Sequence, residues 1–148
     1  MDDKNEMWER AAEFHGHVCP GLMIGFRASL YASELLDVGF SEDEEVVCIA
    51  ENDSCSVDAI QAILGCTVGK GNLLFHMRGK QAFSFYSRNT GKSIRLVQKD
   101  SGVKRTRTES MEYYATCSNE DLFDVKETAI ELPEEAKIFE SYTCECCG

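Results

Sequence analysis

Apolar residues recur along this chain at two spacings, and the switches between them divide it into helices and strands. Residues 5–14 set Met7, Trp8, Ala11, Ala12 and Phe14 on the apolar side of a short predicted helix. Residues 21–37 carry the clearest helical pattern. Leu22, Phe26, Leu30 and Ser33 run down one stripe, Ile24, Tyr31, Leu35 and Leu36 widen it, and Gly39 stands where the helix would end. Residues 45–51, Glu-Val-Val-Cys-Ile-Ala-Glu, read as a buried strand. Asn52-Asp53-Ser54 is a run of capping residue types, so a helix is predicted to start near Cys55, with Val57, Ile60, Ile63 and Leu64 on its apolar side and Gly65 at its end.

Beyond Gly65, strands are predicted at 72–77, 82–87 and 93–98, the last two joined by the turn Arg88-Asn89-Thr90-Gly91. Residues 107–117 pattern as a helix with Met111, Tyr114 and Ala115 inward, and 125–130 as a further strand ended by Leu132-Pro133. Hairpin strands together with separate helices imply an α+β fold, an antiparallel or mixed sheet with helices packed on it. The patterned part, residues 1–138, reads as one domain, and residues 139–148 form a short cysteine-rich tail.

Composition narrows the class. The chain has 148 residues, 43% hydrophobic and 28% charged, which suits a globular domain. No apolar run approaches the ~20 residues of a membrane span, and the polar, acidic start lacks the basic and apolar regions of a signal peptide, so no membrane partner is expected and a cytoplasmic location is. The net charge of −11 disfavours nucleic acid as a partner, although Lys99, Lys104, Arg105 and Arg107 gather in one segment. Eight cysteines without an export signal point to metal binding or thiol chemistry in preference to disulfides. Cys48, inside an apolar run, and Cys117, at a helix-like end, read as small core residues.

Four segments carry the chemistry. In His15-Gly16-His17-Val18-Cys19-Pro20-Gly21, ligand-type side chains stand at every second position before a predicted helix; in an extended segment His15, His17 and Cys19 would share one side. Cys55, at another predicted helix start, repeats that physics: amide dipoles favour its thiolate, while Asp53 and Asp58 oppose it, a conflict that a metal dication would resolve. Gly65-Cys66-Thr67-Val68-Gly69-Lys70-Gly71-Asn72 is Gly-rich and has a lysine suited to an anion, but it lacks P-loop spacing, and a tight loop with positive φ at Gly69 or Gly71 is the favoured reading. Cys144 and Cys147 near the end have the spacing of one zinc knuckle, a candidate second metal site that lacks a second pair. His76, in a strand-like segment, reads as structural.

Three of these stretches occur in a recognisable order: 14–22 with His-Gly-His-Val-Cys-Pro-Gly, 51–61 with Glu-Asn-Asp-Ser-Cys-Ser-Val-Asp-Ala-Ile-Gln, and 65–73 with Gly-Cys-Thr-Val-Gly-Lys-Gly-Asn-Leu. Together with 79–86 and the hairpin to Arg95 they resemble the FmdE family, named for a component of formylmethanofuran dehydrogenase, over about residues 5–132. The resemblance implies an α+β core that pairs into an intertwined homodimer, a core site of His17, Cys19 and Cys55 with His15 and Cys66 as neighbours, and a link to C1 metabolism through an accessory component of a molybdenum or tungsten oxidoreductase. Some members add a zinc finger with two cysteine pairs; one terminal pair fits a core-only member with a truncated finger.

Three functions stay open on the sequence. The first is a metal centre on His17, Cys19 and Cys55, holding zinc or another divalent metal such as nickel or iron, with an open position for substrate or water. The second is a redox or nucleophilic thiol enzyme using Cys19 or Cys55 with His17 as base. The third is a non-catalytic accessory or regulatory partner of a larger oxidoreductase.

Overall fold

The computed structural model describes residues 3–128. Ten elements follow in chain order: α1 (Lys4–His15), α2 (Pro20–Leu36), β1 (Val46–Ala50), α3 (Cys55–Leu64), β2 (Leu73–Phe75), β3 (Ala82–Ser87), β4 (Ser93–Gln98), α4 (Arg107–Thr116), α5 (Asn119–Leu122) and β5 (Phe123–Glu127). The five strands form one mixed sheet in the order β2-β1-β3-β4-β5. β2 runs parallel to β1, and the other pairs are antiparallel. The α+β expectation holds, and the β3–β4 hairpin matches its predicted ends. Leu132, Pro133, Cys144, Cys147 and the whole predicted tail lie outside the described residues.

Register explains the core. Cys48 faces Leu73 and Phe85, Phe85 faces Ile94, and Phe83 faces Leu96, so these side chains share one sheet face. That face is buried against Ile24, Ala28, Ala32 and Leu36 of α2 and Val57, Ile60 and Leu64 of α3. A second apolar cluster joins α1 to the outer sides of these two helices: Met7, Ala11, Cys19, Leu22, Met23, Phe26, Ala59 and Ile63, with Trp8 set edge-on to Phe26 at 5.1 Å. α2 therefore buries two sides instead of the single stripe that the sequence pattern predicts. The row Ile24-Ala28-Ala32-Leu36 meets the sheet, Leu22 and Phe26 meet α1, and Leu35 falls on the solvent side, 40% exposed.

Two glycines one turn apart set the spacing of the central helices. A Cβ on Gly21 would sit 3.3 Å from Cys55 Cβ, and a Cβ on Gly25 would sit 2.6 Å from the Cα and carbonyl carbon of Ser56, closer still to its oxygen. Only hydrogen at Gly25 lets the start of α3 lie directly on α2, and Gly21 keeps the contact with Cys55 free of crowding.

The helix ends differ in detail from the expectation. α2 stops at Asp37 in the left-handed conformation (φ 52°), two residues before Gly39; the Asp37 N–H bonds to Ser33 O. Gly65 closes α3 with φ 69°, as expected. Of the two loop glycines, Gly71 has the positive φ, 82°. In α4 Met111 and Tyr114 pack against the second cluster, but Ala115 is exposed, off the side of the helix that meets the body. Arg27 of α2 donates to the carbonyls of Tyr114 and Cys117 at 2.7 Å each and to Asn119 Oδ1 at 2.9 Å, gathering the C-terminal carbonyls of α4.

The other sheet face carries Ile49, Tyr86, Arg95 and Val97, all half-buried, and Leu74 at the β2 edge, 41% exposed. Just past β1, Glu51 is buried and takes a two-bond ion pair from Arg95, at 2.8 Å from Nε and 3.0 Å from Nη2, with Arg78 3.9 Å away. Hydrogen bonding to the Arg95 guanidinium holds the Glu51 carboxyl below its ordinary value of 4.5.

Packing and charge each generate a prediction. Gly25→Ala drives a methyl into the Ser56 backbone and is expected to cost at least about 2 kcal/mol in urea unfolding, as overpacking of a fixed backbone does. Glu51 stabilises the fold at pH above the unfolded carboxyl's value, and that contribution drains away as pH falls through the lower folded value. Glu51→Gln should therefore be less stable near neutrality and lose less Tm than the wild type between about pH 5 and about pH 3.

Candidate metal centre

The ends of three helices meet at one place. α1 ends in His15, and Gly16 turns the chain with φ 97° while its N–H bonds to Ala12 O at 2.8 Å. His17 and Val18 cross the gap, and Cys19 is the N-cap of α2, followed by Pro20 in the first helical position, where a missing N–H costs nothing. His15, His17 and Cys19 do converge, but through a helix, a left-handed turn and a second helix start, not through an extended strand.

From the other direction, α3 begins at Cys55. Its start is shaped by a polar network that runs from buried Asn52 and Ser56 out to exposed Ser54. Asn52 Oδ1 accepts from Ser54 N at 3.0 Å and Ser54 Oγ at 2.7 Å, and Asn52 Nδ2 donates to Lys80 O at 2.7 Å. Gln81 bridges the same group, its Oε1 accepting from Ser56 Oγ and its Nε2 donating to Ser54 Oγ, both at 3.1 Å. The network turns the chain out of β1 and sets Cys55 against Gly21 of α2. Neither α2 nor α3 has a side-chain cap bond at its N-terminus, so the amide dipoles of both helices face the two cysteines.

Four donor atoms result. One ligand atom each from His15, His17, Cys19 and Cys55 lies within 4.8 Å of all the others. A tetrahedral zinc site with these ligands has donor–donor edges of ~3.3–3.8 Å. Cys19 Sγ and His15 Nε2 stand 3.9 Å apart, and the two imidazoles stack at 4.4 Å between centroids. Ordinary side-chain rotation would close the remainder, so a two-nitrogen, two-sulfur donor set fits a borderline divalent metal.

His15 is the best prepared of the four. Its Nδ1 meets Asp58 Oδ2 at 2.6 Å, and Asp58 Oδ1 accepts from Gln61 Nε2 at 3.0 Å. With the Nδ1 proton on that carboxylate, the Nε2 lone pair is directed at Cys19, the orientation that metal-binding histidines take from a carboxylate partner. On the sequence alone Asp58 figures only as a charge opposing the Cys55 thiolate. Its spacing of three residues from Cys55 puts both on one turn of α3, but nothing in the chain pattern points to its partner on α1. Without a metal, burial and then the adjacent Cys19 push the Cys55 thiol up, opposite to what an activated nucleophile needs.

The remaining candidates lie elsewhere. Cys66 follows the far end of α3, fully buried, with Sγ on Val46 O at 3.5 Å; burial pushes its thiol up to about 12. Cys48, equally buried, is likewise raised well above its usual range. Lys70 donates to Ser41 O at 2.5 Å and lies over the Phe40 ring, so it clamps the loop before β1. In the same corner Asn72, fully buried, donates to Val46 O at 2.9 Å and accepts from Thr67 N at 2.9 Å. The Gly-rich segment thus has a structural use, anchored through Lys70 and the buried Asn72 while Val68 and Gly69 are exposed. His76 is exposed, its backbone N–H donating to Ala50 O at 2.8 Å. In the basic segment, Arg105 covers the Tyr113 ring at 3.7 Å and Arg107 donates to Val18 O at 3.2 Å. No helix among the described residues is long and apolar enough to cross a membrane.

Comparisons with known proteins bear on the family and the fold. The family described as "FmdE, Molybdenum formylmethanofuran dehydrogenase operon" matches residues 14–142. A probable S-adenosyl-L-methionine-binding protein of Archaeoglobus fulgidus is 30% identical over an alignment covering 94% of this chain and 47% of that protein, so the chain spans about half the length of this relative. The crystal structure of an FmdE-like protein of tungsten formylmethanofuran dehydrogenase type from Syntrophus aciditrophicus superposes with a TM-score of 0.65 at 26% identity, covering 86% of this chain and 73% of that one.

The Asp58 contact generates a test. Asp58→Asn should weaken metal binding by about 10–100-fold, as loss of a carboxylate behind a ligating histidine does, measured by competition against a chromogenic chelator. An unchanged affinity would remove His15 from the ligand set.

Proposed function

Because this chain belongs to the FmdE family, the family named for the molybdenum formylmethanofuran dehydrogenase operon, and gathers two histidines and two cysteines at three converging helix ends, we propose that it is a metal-binding protein whose centre is built from His15, His17, Cys19 and Cys55. Zinc is the metal proposed, with nickel or iron as the alternatives that the same nitrogen and sulfur donors accept. The observation that carries this reading is the mutual approach of the four donor atoms within 4.8 Å. When bound, the metal supplies Lewis acidity and holds the two sulfurs as thiolates. The protein's part is to fix the donors: Asp58 orients His15, and the two helix N-termini stabilise the thiolate charge.

A thiol nucleophile at Cys19 or Cys55 is the weaker reading. The two sulfurs share one small space, and a nucleophile with a neighbouring thiol and no cation is poorly activated. An accessory place beside a larger molybdenum or tungsten oxidoreductase in C1 metabolism is proposed from the family, together with a cytoplasmic location. A homodimer is proposed as the assembly. The partly accessible side chains on one sheet face, half-buried Ile49, Tyr86 and Val97 and exposed Leu74, support it among the described residues, since a second copy could cover them.

Native mass spectrometry of protein purified without chelator or metal-affinity resin tests both points at once. The expected result is a dimer mass with metal at the core of each chain, lost in Cys19→Ser and in Cys55→Ser. Equal metal content in wild type and both variants would overturn the assignment of the centre, and a monomer mass would overturn the assembly.

A further inference from the structure

The four donors are not held equally. His15 ends a helix, has a side chain only 11% exposed, and is hydrogen-bonded to Asp58. Cys19 is buried at the start of α2, within the apolar cluster of Met7, Leu22 and Met23. Cys55 is half-buried at the start of α3. His17 alone of the four is exposed, on the short crossing between Gly16 and Cys19. A side chain added at Gly16 would meet nothing within 4 Å, so there is open space at the start of the crossing, while Val18 O further on accepts from Arg107. No hydrogen bond among the described residues fixes the His17 ring, which is held by its stacking on His15.

We propose that His17 is the exchangeable ligand of this centre, and that a small organic thiol takes its place. The inference rests on the metal reading above and adds which position opens. Three donors, His15, Cys19 and Cys55, suffice to retain a divalent metal, as three protein ligands do in open zinc sites. The fourth position then serves an incoming donor. In the exchange the His17 nitrogen would leave the metal, the thiol sulfur would bond to it as a thiolate, and the thiol proton would be released to water, so charge and protons balance. A thiol suits the position on two grounds. A centre with two sulfur ligands favours another soft donor. Two exposed apolar side chains near it in the chain, Phe14 three residues before and Val18 one after, 58% and 46% exposed, offer apolar surface to an organic body.

Cobalt(II) substitution with 2-mercaptoethanol as the probe tests this. Cobalt reports each bound sulfur as charge-transfer absorption and each change of geometry in its visible bands. Wild-type protein should gain charge-transfer intensity on titration with the thiol. His17→Ala should keep one cobalt per chain with an affinity lowered by less than about tenfold, and should bind the thiol more tightly than wild type, whereas His15→Ala should lose far more affinity. Loss of metal from His17→Ala as complete as from Cys55→Ser would overturn the proposal, as would spectra of wild type and His17→Ala that ignore the thiol. If wild-type protein takes up no cobalt, the metal reading itself falls and the exchange falls with it. That outcome is seen before any variant is made, so the two failures are distinguishable.

Discussion

The close crossing of α2 and α3 is the constraint on which the rest of this structure depends. It is made possible by the missing side chains of Gly21 and Gly25, which let the Ser56 backbone and the Cys55 Cβ lie directly on α2. The same contact does two things. Below it, the paired helices present Ile24, Ala28, Ile60 and Leu64 as one apolar surface to the sheet. Above it, their N-termini are brought to the same point, each carrying a cysteine. Packing and chemistry are therefore coupled: whatever separates the helices also separates the sulfurs.

That arrangement has an electrostatic cost without a cation. Burial, and then the neighbouring Cys19, push the half-buried Cys55 thiol up. Helix dipoles offset part of this, and a divalent metal reverses it. The surrounding polar groups prepare the site without being ligands. Asn52, Ser54, Ser56 and Gln81 hold the start of α3, and Asp58 with Gln61 holds His15. Positioning by such groups limits the reorganisation needed when metal binds.

Much of the fold is legible in the chain because its elements are locally consistent. The β3–β4 hairpin, the start of α3 at Cys55 and its end at Gly65 each follow from residues within a few positions of one another. Where pattern and structure part, the cause is tertiary. The pattern shows α2 as one stripe, although it lies between a sheet and another helix. It points Ala115 inward on a helix that meets the body through Met111 and Tyr114 and leaves Ala115 exposed. The short α5 leaves no signal in the pattern, because four residues carry no periodicity.

For the site, the sequence by itself determined the donor types and their local setting: His15, His17 and Cys19 before a helix-starting proline, and Cys55 at a second helix start. Only the tertiary structure decided which of the cysteines and histidines belong together. Cys66 and Cys55 lie at opposite ends of one helix, so the first is buried beside Cys48 while the second joins the histidines. Asp58 became a partner of His15 only when α1 packed against α3, across a separation of 43 residues. Spacing along a chain reports which atoms a short segment can offer. Which of them meet is set by the packing of helices that are remote in sequence, and here that packing turns on two glycines.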